Sequence, residues 1–288
     1  MSTFTEISES DAVTTYRLER TLWSGSTAAC ESVMIAESSA YGRLLFLDGE
    51  LQSASRDEHI YHESLVHPVM ASALAHFGTP LKVLVVGGGE GATVREVLRW
   101  QNVAVDWVDI DGELVDLCER HLNWAPGVRR DPRVSFYAED IGTFLTKTGN
   151  YDVIILDLPD PDGDTGYLYS TAFWMDLSAH LVADGRVVTH VGPVSPVADP
   201  GPFGPGYIRV RAFAAVAGLS FSPAGFYRIG IPSFQGDWGF ASTVKGPGSF
   251  FGFDPELIQK RIPAVRVADG RQMREWATPA LLWRSHTG

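Results

Sequence analysis

Between Leu81 and Gly192 the chain alternates five short apolar runs with helical patterns, and no other feature restricts its fold as much. The runs are LKVLVVG (81–87), VAVDWVDID (103–111), RVSFYAED (133–140), YDVIILD (151–157) and GRVVTHVG (185–192). Strands this continuous in Val, Ile and Leu are buried on both faces, as in a parallel sheet covered by helices. The stretches between them, GATVREVLRW (91–100), GELVDLCERHL (112–122), IGTFLTK (141–147) and STAFWMDLSAHL (170–181), carry helical spacing. IRVRAFAAVAGL (208–219) adds a further helix and GDWGFASTVKG (236–246) a late strand. The expectation is an α/β fold with a Rossmann-like, mostly parallel sheet. Such sheets bind ligands at the carboxyl ends of their strands, so those ends hold the candidate residues.

Ahead of this rhythm, residues 15–23, 31–39 and 41–55 read as short β segments, the last with the hairpin signal Asp48-Gly49 between apolar runs. From Asp57 apolar side chains recur at three-to-four spacing as far as Phe77, predicting one helix with a kink at Pro68. The expected division is a small antiparallel β domain over 1–56 and a catalytic domain over 57–288. No apolar run approaches the ~18 residues of a membrane span, and the first residues lack a secretory pattern. Cys30 and Cys118 stand far apart, which argues against a disulfide framework. The expected setting is cytoplasmic.

The first strand runs into Gly87-Gly88-Gly89-Glu90-Gly91-Ala92, a tight turn that lets backbone approach a nucleoside. Glu90 at the helix start would repel a pyrophosphate, which disfavours dinucleotide binding and leaves the glycine loop of methyltransferase-type sheets. At the end of strand two, Asp109 can accept from both ribose hydroxyls, whereas Asp111 is placed to cap the next helix. Asp140, ending strand three, suits either an adenine amine or a helix cap. Strand four ends in Asp157, followed by Asp160, Asp162 and Asp164, carboxylates that are costly to crowd unless a cation joins them. A calcium loop fails, because Thr165 and Thr171 occupy its glycine and closing glutamate positions. His59, His62, Glu63 and His67 match no zinc motif and read as helix-face, hydrogen-bonding residues, so no metal is expected. A net charge of −12 makes nucleic acid and anionic lipid poor partners and favours cationic ligands.

Taken together, LFLDGELQSASRDEHIYHESLVHP, VLVVGGGEGATVREVL, VDIDGELVDLC, DPRVSFYAED, YDVIILDLPDP and IPSFQGDWGFAS resemble spermidine synthases, the polyamine aminopropyltransferases. The resemblance runs from about Glu31 to Ser242 in the family's order, and the DLPDP form is similar to a bacterial branch often fused to a membrane segment. It implies decarboxylated S-adenosylmethionine as donor, a di- or polyamine as acceptor, and a homodimer or homotetramer. By motif position it places Gln52 and Asp109 at the nucleoside and ribose, Gly87 and Gly89 in the donor loop, and Asp140 at the adenine. Glu90 would hold the donor's aminopropyl ammonium and Asp157 would be the general base. Tyr61, Asp160 and Phe234 would line the acceptor site.

Several positions depart from the family's pattern. Glu90 replaces aspartate in GGGDG and is one methylene longer, which is expected to crowd or shift the donor tail. Glu31 stands where a glutamine touches the nucleoside, and Phe234 lacks the hydroxyl of a common tyrosine, so the acceptor need not be putrescine. Two rival readings follow. One is an amine N-methyltransferase using S-adenosylmethionine, disfavoured by the charge of Glu90 against a methionyl carboxylate and by Val85 where such enzymes often carry an acid. The other is a non-catalytic polyamine- or nucleoside-binding protein.

Overall fold

The computed structural model describes residues 2–7, 13–159, 163–195, 204–219 and 225–277. Its N-terminal part holds β1 (Ser2–Ile7) and β2 (Val13–Leu18), a two-stranded antiparallel pair, and β3 (Arg20–Gly25), β4 (Val33–Ser38), β5 (Gly42–Leu47) and β6 (Glu50–Ala54), a four-stranded antiparallel sheet. The segment expected as one strand over 15–23 is thus broken at Glu19 and shared between two sheets. β5 and β6 are joined by the expected hairpin turn, with Leu47 paired to Glu50 and both Asp48 and Gly49 at positive φ.

Helix α1 (Glu58–Phe77) runs uninterrupted through Pro68 and leads into the large sheet. That sheet contains β7 (Leu81–Gly87), β8 (Val103–Asp109), β9 (Val134–Ala138), β10 (Tyr151–Asp157), β11 (Leu181–Val194), β12 (Phe226–Ile231) and β13 (Gly236–Val244) in the order β12-β13-β11-β10-β7-β8-β9. β11, β10, β7, β8 and β9 are parallel, and β13 runs antiparallel to both its neighbours. The connecting helices are α2 (Ala92–Leu98), α3 (Gly112–His121), α4 (Ile141–Leu145), α5 (Thr171–Ala179) and α6 (Gly204–Val216), with α7 (Leu257–Arg261) and α8 (Gly270–Ala277) after the last strand. The Rossmann-like expectation therefore holds. β1, β12, α7 and α8 are additions that the sequence reading did not contain. Among the described residues no helix is long and apolar enough to cross a membrane.

The apolar runs are continuous because consecutive residues feed two different cores. Val83, Val85, Val153 and Ile155 pack with Leu65, Val69 and Met70 of α1 on one face. Leu84, Val86, Ile154 and Leu156 pack with Trp174 of α5 and Val210 of α6 on the other. α3 joins the two sheets, since its Leu114, Leu117 and Cys118 pack against Val33, Ile35 and Leu45 of the N-terminal sheet. The opposite face of that sheet packs around Phe46 and Leu51 and is touched by Phe234. Backbone and side chain pin the junction: Tyr16 Oη donates to the Ser233 carbonyl (3.2 Å), and Ser233 N–H donates to Asp57 Oδ2 (2.7 Å).

Candidate active site

The chain moves outward from β7 through β8 to β9 and then returns to the other side of β7 with β10, so the strand order reverses between β7 and β10. A crevice opens at such a reversal. Gly87 and Asp157 are the paired residues at its mouth. Gly87 and Gly88 have φ of +77° and +68°, and Gly88 N–H donates to the Asp157 carbonyl at 2.8 Å. A Cβ on Gly87 would collide with that carbonyl, and one on Gly88 would lie 2.7 Å from Asp157 Oδ2. Only glycine lets the turn fold onto Asp157. Gly87→Ala is expected to lower stability by more than about 2 kcal/mol, since positive φ and a backbone clash act together. A urea midpoint equal to the parent's would contradict this.

The Asp157 carboxylate is held from both sides. Tyr61 Oη donates to Oδ1 at 2.8 Å and Thr93 Oγ1 donates to Oδ2 at 2.5 Å. These donors come from α1 and α2, so the orientation of the carboxylate depends on both helices. Asp109, at the end of β8, accepts from Asp111 N–H at 2.8 Å and is 8% exposed. Burial pushes its pKa up to about 7 against the lowering effect of the Asp111 N–H bond, with the charges of Asp111 and Asp157 adding to the rise. Its second oxygen lies 3.2 Å from where a Cβ on Gly89 would sit, so the glycine loop passes directly over it. Asp111 caps α3 through Leu114 N–H (2.9 Å). Asp140 caps α4 through Thr143 N–H (2.9 Å) and accepts from Tyr167, which holds its carboxyl below the usual range against the opposing effect of burial.

Glu90 is not a free carboxylate. Ser53 Oγ donates to its Oε1 at 3.0 Å, and His62 Nε2 meets the same oxygen at 2.8 Å. The extra methylene relative to aspartate is taken up by this reach toward β6 and α1. His62 was expected as a helix-face residue; it is instead fully enclosed, with Nδ1 at 2.9 Å from Glu58 Oε2. Burial opposes charge on the imidazole, yet Glu90 and Glu58 outweigh it and hold His62 well above its ordinary pKa. Burial pushes the Glu90 carboxyl up, His62 pulls it down, and Asp157 and Glu58 push it further up. On balance the Glu90 carboxyl stands above its ordinary value, with the His62 imidazole as the cationic group facing it.

Aromatic rings wall the crevice beside Asp157. Tyr61 lies edge-on to Phe234 (6.5 Å between centroids), Phe234 is 4.7 Å from Trp238, and His190 stacks on Trp238 at 5.9 Å. Gln52 sits half-buried on β6 next to Ser53. Tyr61, Gly87, Gly89, Glu90, Asp109 and Asp157 thus converge, Phe234 closes one side, and Asp140 lies further out at the end of edge strand β9. Asp160 and Asp162 lie outside the described residues.

His62, Ser53 and Thr93 belong to this arrangement and were not singled out for it from the sequence. His62 directly follows Tyr61 and Thr93 lies three residues after Glu90, yet neither formed a pattern, because their contacts cross between distant elements. Buried Glu63, His67 and Glu96 form a separate cluster behind α1. Its carboxylates take Arg266 and Val267 N–H groups and the Arg95 and Arg99 guanidiniums, an ionic brace between helices.

Comparisons with known proteins identify the family and the fold. A profile of the spermine/spermidine synthase domain matches residues 58–195. A polyamine aminopropyltransferase of Synechococcus sp. is 40% identical over 222 residues, covering 75% of this chain and 69% of the relative. Polyamine aminopropyltransferase 2 of Pseudomonas aeruginosa is 41% identical over 230 residues, covering 78% of this chain and 62% of the relative. A spermidine synthase solved with the transition-state analogue AdoDATO superposes with a TM-score of 0.84 at 24% identity, over 99% of this chain and 94% of that one. Spermidine synthase from Thermotoga maritima gives a TM-score of 0.82 at 22% identity over 99% and 93%. These two likenesses bear on the fold.

Proposed function

This chain belongs to the spermine/spermidine synthase family, and from that premise we propose that it moves an aminopropyl group from decarboxylated S-adenosylmethionine to a di- or polyamine. The products are methylthioadenosine and the extended amine. The observation that carries the reading is the Asp157 carboxylate, fixed by Tyr61 and Thr93 at the β7/β10 crevice beside a glycine turn and aromatic walls.

A protonated amine entering this pocket is drawn by its carboxylates and by the ring faces of Tyr61 and Trp238. Asp157 accepts the ammonium proton, which frees the nitrogen lone pair. That lone pair attacks the carbon next to the sulfonium, and the carbon–sulfur bond breaks with its electrons passing to sulfur. Methylthioadenosine leaves neutral. Asp109 takes the ribose hydroxyls and the Gly87–Gly89 backbone passes close to the nucleoside, with Gln52 beside it. Glu90 receives the donor's ammonium through Oε2, because Ser53 and His62 both engage Oε1. Tyr61 and Phe234 flank the acceptor. Holding nitrogen, carbon and sulfur in line supplies much of the acceleration. A homodimer or homotetramer and a cytoplasmic setting extend the reading on family likeness alone.

Mass spectrometry of reactions pairing each sulfonium donor with a panel of amines tests this directly. Methylthioadenosine and an amine enlarged by one aminopropyl group are expected from the decarboxylated donor. S-adenosylhomocysteine and a methylated amine would overturn the reading. Glu90→Gln is expected to lower the preference for the decarboxylated donor over S-adenosylmethionine by ~10-fold or more, as removal of one facing charge is worth about 1.4 kcal/mol or more here. The ratio of kcat/KM for the two donors measures it, and an unchanged ratio counts against the assignment of Glu90.

A further inference from the structure

Behind Glu90 the charged groups form a chain of alternating sign. Arg95 of α2 grips Glu58 with two contacts, Nη1 to Oε1 at 3.1 Å and Nη2 to Oε2 at 2.8 Å. Glu58 Oε2 meets His62 Nδ1 at 2.9 Å, and His62 Nε2 meets Glu90 Oε1 at 2.8 Å. Glu58 and His62 stand four residues apart in the first turns of α1, so the helix itself sets their pairing. Arg95 is fixed in turn by Glu96 Oε1 (2.9 Å) and the Trp124 carbonyl (2.9 Å).

Each link depends on the one behind it. An imidazole that hydrogen-bonds a carboxylate through both nitrogens carries two protons and a positive charge. A buried cation of this kind persists only beside anions. Glu58 is such an anion: burial alone would raise its carboxyl, but bonds from His62 and Arg95 hold it at about 2. If Glu58 lost its charge, the Glu58 backbone carbonyl at 2.7 Å from Nδ1 would remain, but Glu90 would be the one anion left in contact with the imidazole, and both would tend to neutralise. Among the described residues the other ionisable groups near Glu90 are Asp157 from β10, the Tyr61 phenol from α1 and the Cys118 thiol from α3, none of which can replace the cation.

We propose that Glu58 and Arg95, one and two links removed from Glu90, are positioning residues that keep His62 cationic and thereby hold Glu90 ionised with Oε2 turned to the ammonium of the donor's three-carbon tail. The sequence of contacts makes recognition of the tail separable from recognition of the nucleoside, which Asp109 and the glycine turn serve. This rests on the donor reading given above.

The test is calorimetry on the full chain with two ligands, decarboxylated S-adenosylmethionine, which has the charged tail, and methylthioadenosine, which lacks it. The parent is expected to bind the tailed ligand at least tenfold more tightly. Glu58→Gln is expected to weaken the tailed ligand by tenfold or more and to leave methylthioadenosine within twofold. In turnover the loss falls on donor KM more than on kcat. Arg95→Lys keeps the charge and gives up the paired contact, and it serves if Glu58→Gln folds poorly; a few-fold loss confined to the tailed ligand is expected. Equal weakening of both ligands in either variant would mean a purely structural brace and overturn the proposal, as would an unchanged ratio. A parent that shows no gain from the tail would overturn the donor reading, and this inference with it.

Discussion

Asp157→Asn is expected to reduce turnover by roughly 10²–10⁴-fold, the range for loss of a positioned general base, while binding of methylthioadenosine stays within a few-fold of the parent. The substitution keeps shape and volume and removes only the ability to take a proton. Asparagine still offers one oxygen to Tyr61 or Thr93, and the other hydroxyl can rotate to accept from its amide. The glycine turn, which bonds the Asp157 backbone carbonyl, is untouched. The incoming amine is then left without an acceptor for its proton near neutral pH. Single-turnover rates over a pH series check this. Partial recovery at high pH, where the free amine becomes abundant in solution, is part of the expected result. A variant that turns over like the parent at neutral pH would remove Asp157 from the chemistry.

The strand ends were readable because parallel strands impose a simple rule, apolar throughout and polar where they stop. Asp109 and Asp157 follow it, and both close their strands in the structure. Gly87–Gly91 was readable for a related reason, since close backbone approach demands residues without side chains. His62 escaped because its environment is set by Glu58 on its own helix and by Glu90 some thirty residues away. Nothing in the local pattern of α1 distinguishes it from His59 or His67. β1 was missed as a mostly exposed strand of mixed polarity that, among the described residues, pairs as a strand with β2 alone. β12 follows a region with weak alternation, and its place is set by pairing with β13 and by Tyr227 bonding the Ser64 carbonyl of α1. α7 and α8 are short, and tertiary packing of Ile258, Met273 and Trp276 onto the α1 face of the sheet places them.

Of the departures from the family pattern, Glu90 is accommodated within the pocket, while Phe234 changes the chemistry of the wall beside Tyr61. Glu90 keeps a carboxylate in the pocket despite its extra length, because Ser53 and His62 draw it back. Phe234 contributes a ring face beside Tyr61 and Trp238 but no hydroxyl. A longer or more alkylated amine gains from such a wall, whereas a second primary ammonium finds fewer hydrogen-bonding partners on that side.

Asp109→Asn is expected to stabilise the ligand-free protein and to weaken nucleoside binding by roughly 10–100-fold, which separates stability from function at one position. Burial holds the folded-state pKa of Asp109 near 7, above the roughly 3.9 of an unfolded chain. A carboxyl whose pKa is raised on folding favours the native state while protonated. Its stabilising contribution is present below pH ~4 and is lost as pH rises toward 7, so the full penalty stands at pH 8. The ceiling on that penalty is about 4 kcal/mol, and relaxation of the site makes the observed value smaller. Asparagine keeps an acceptor for Asp111 N–H and carries no charge to desolvate. The gap in melting temperature between variant and parent should therefore widen from pH 5 to pH 8. Ribose recognition moves the other way, because two hydroxyls need two acceptor oxygens and asparagine supplies one. Melting curves across that pH window, with calorimetry of methylthioadenosine on the same samples, check both halves. A variant that is less stable at pH 8, or that binds the nucleoside unchanged, would show that Asp109 is not a carboxylate held buried for the sake of the ribose.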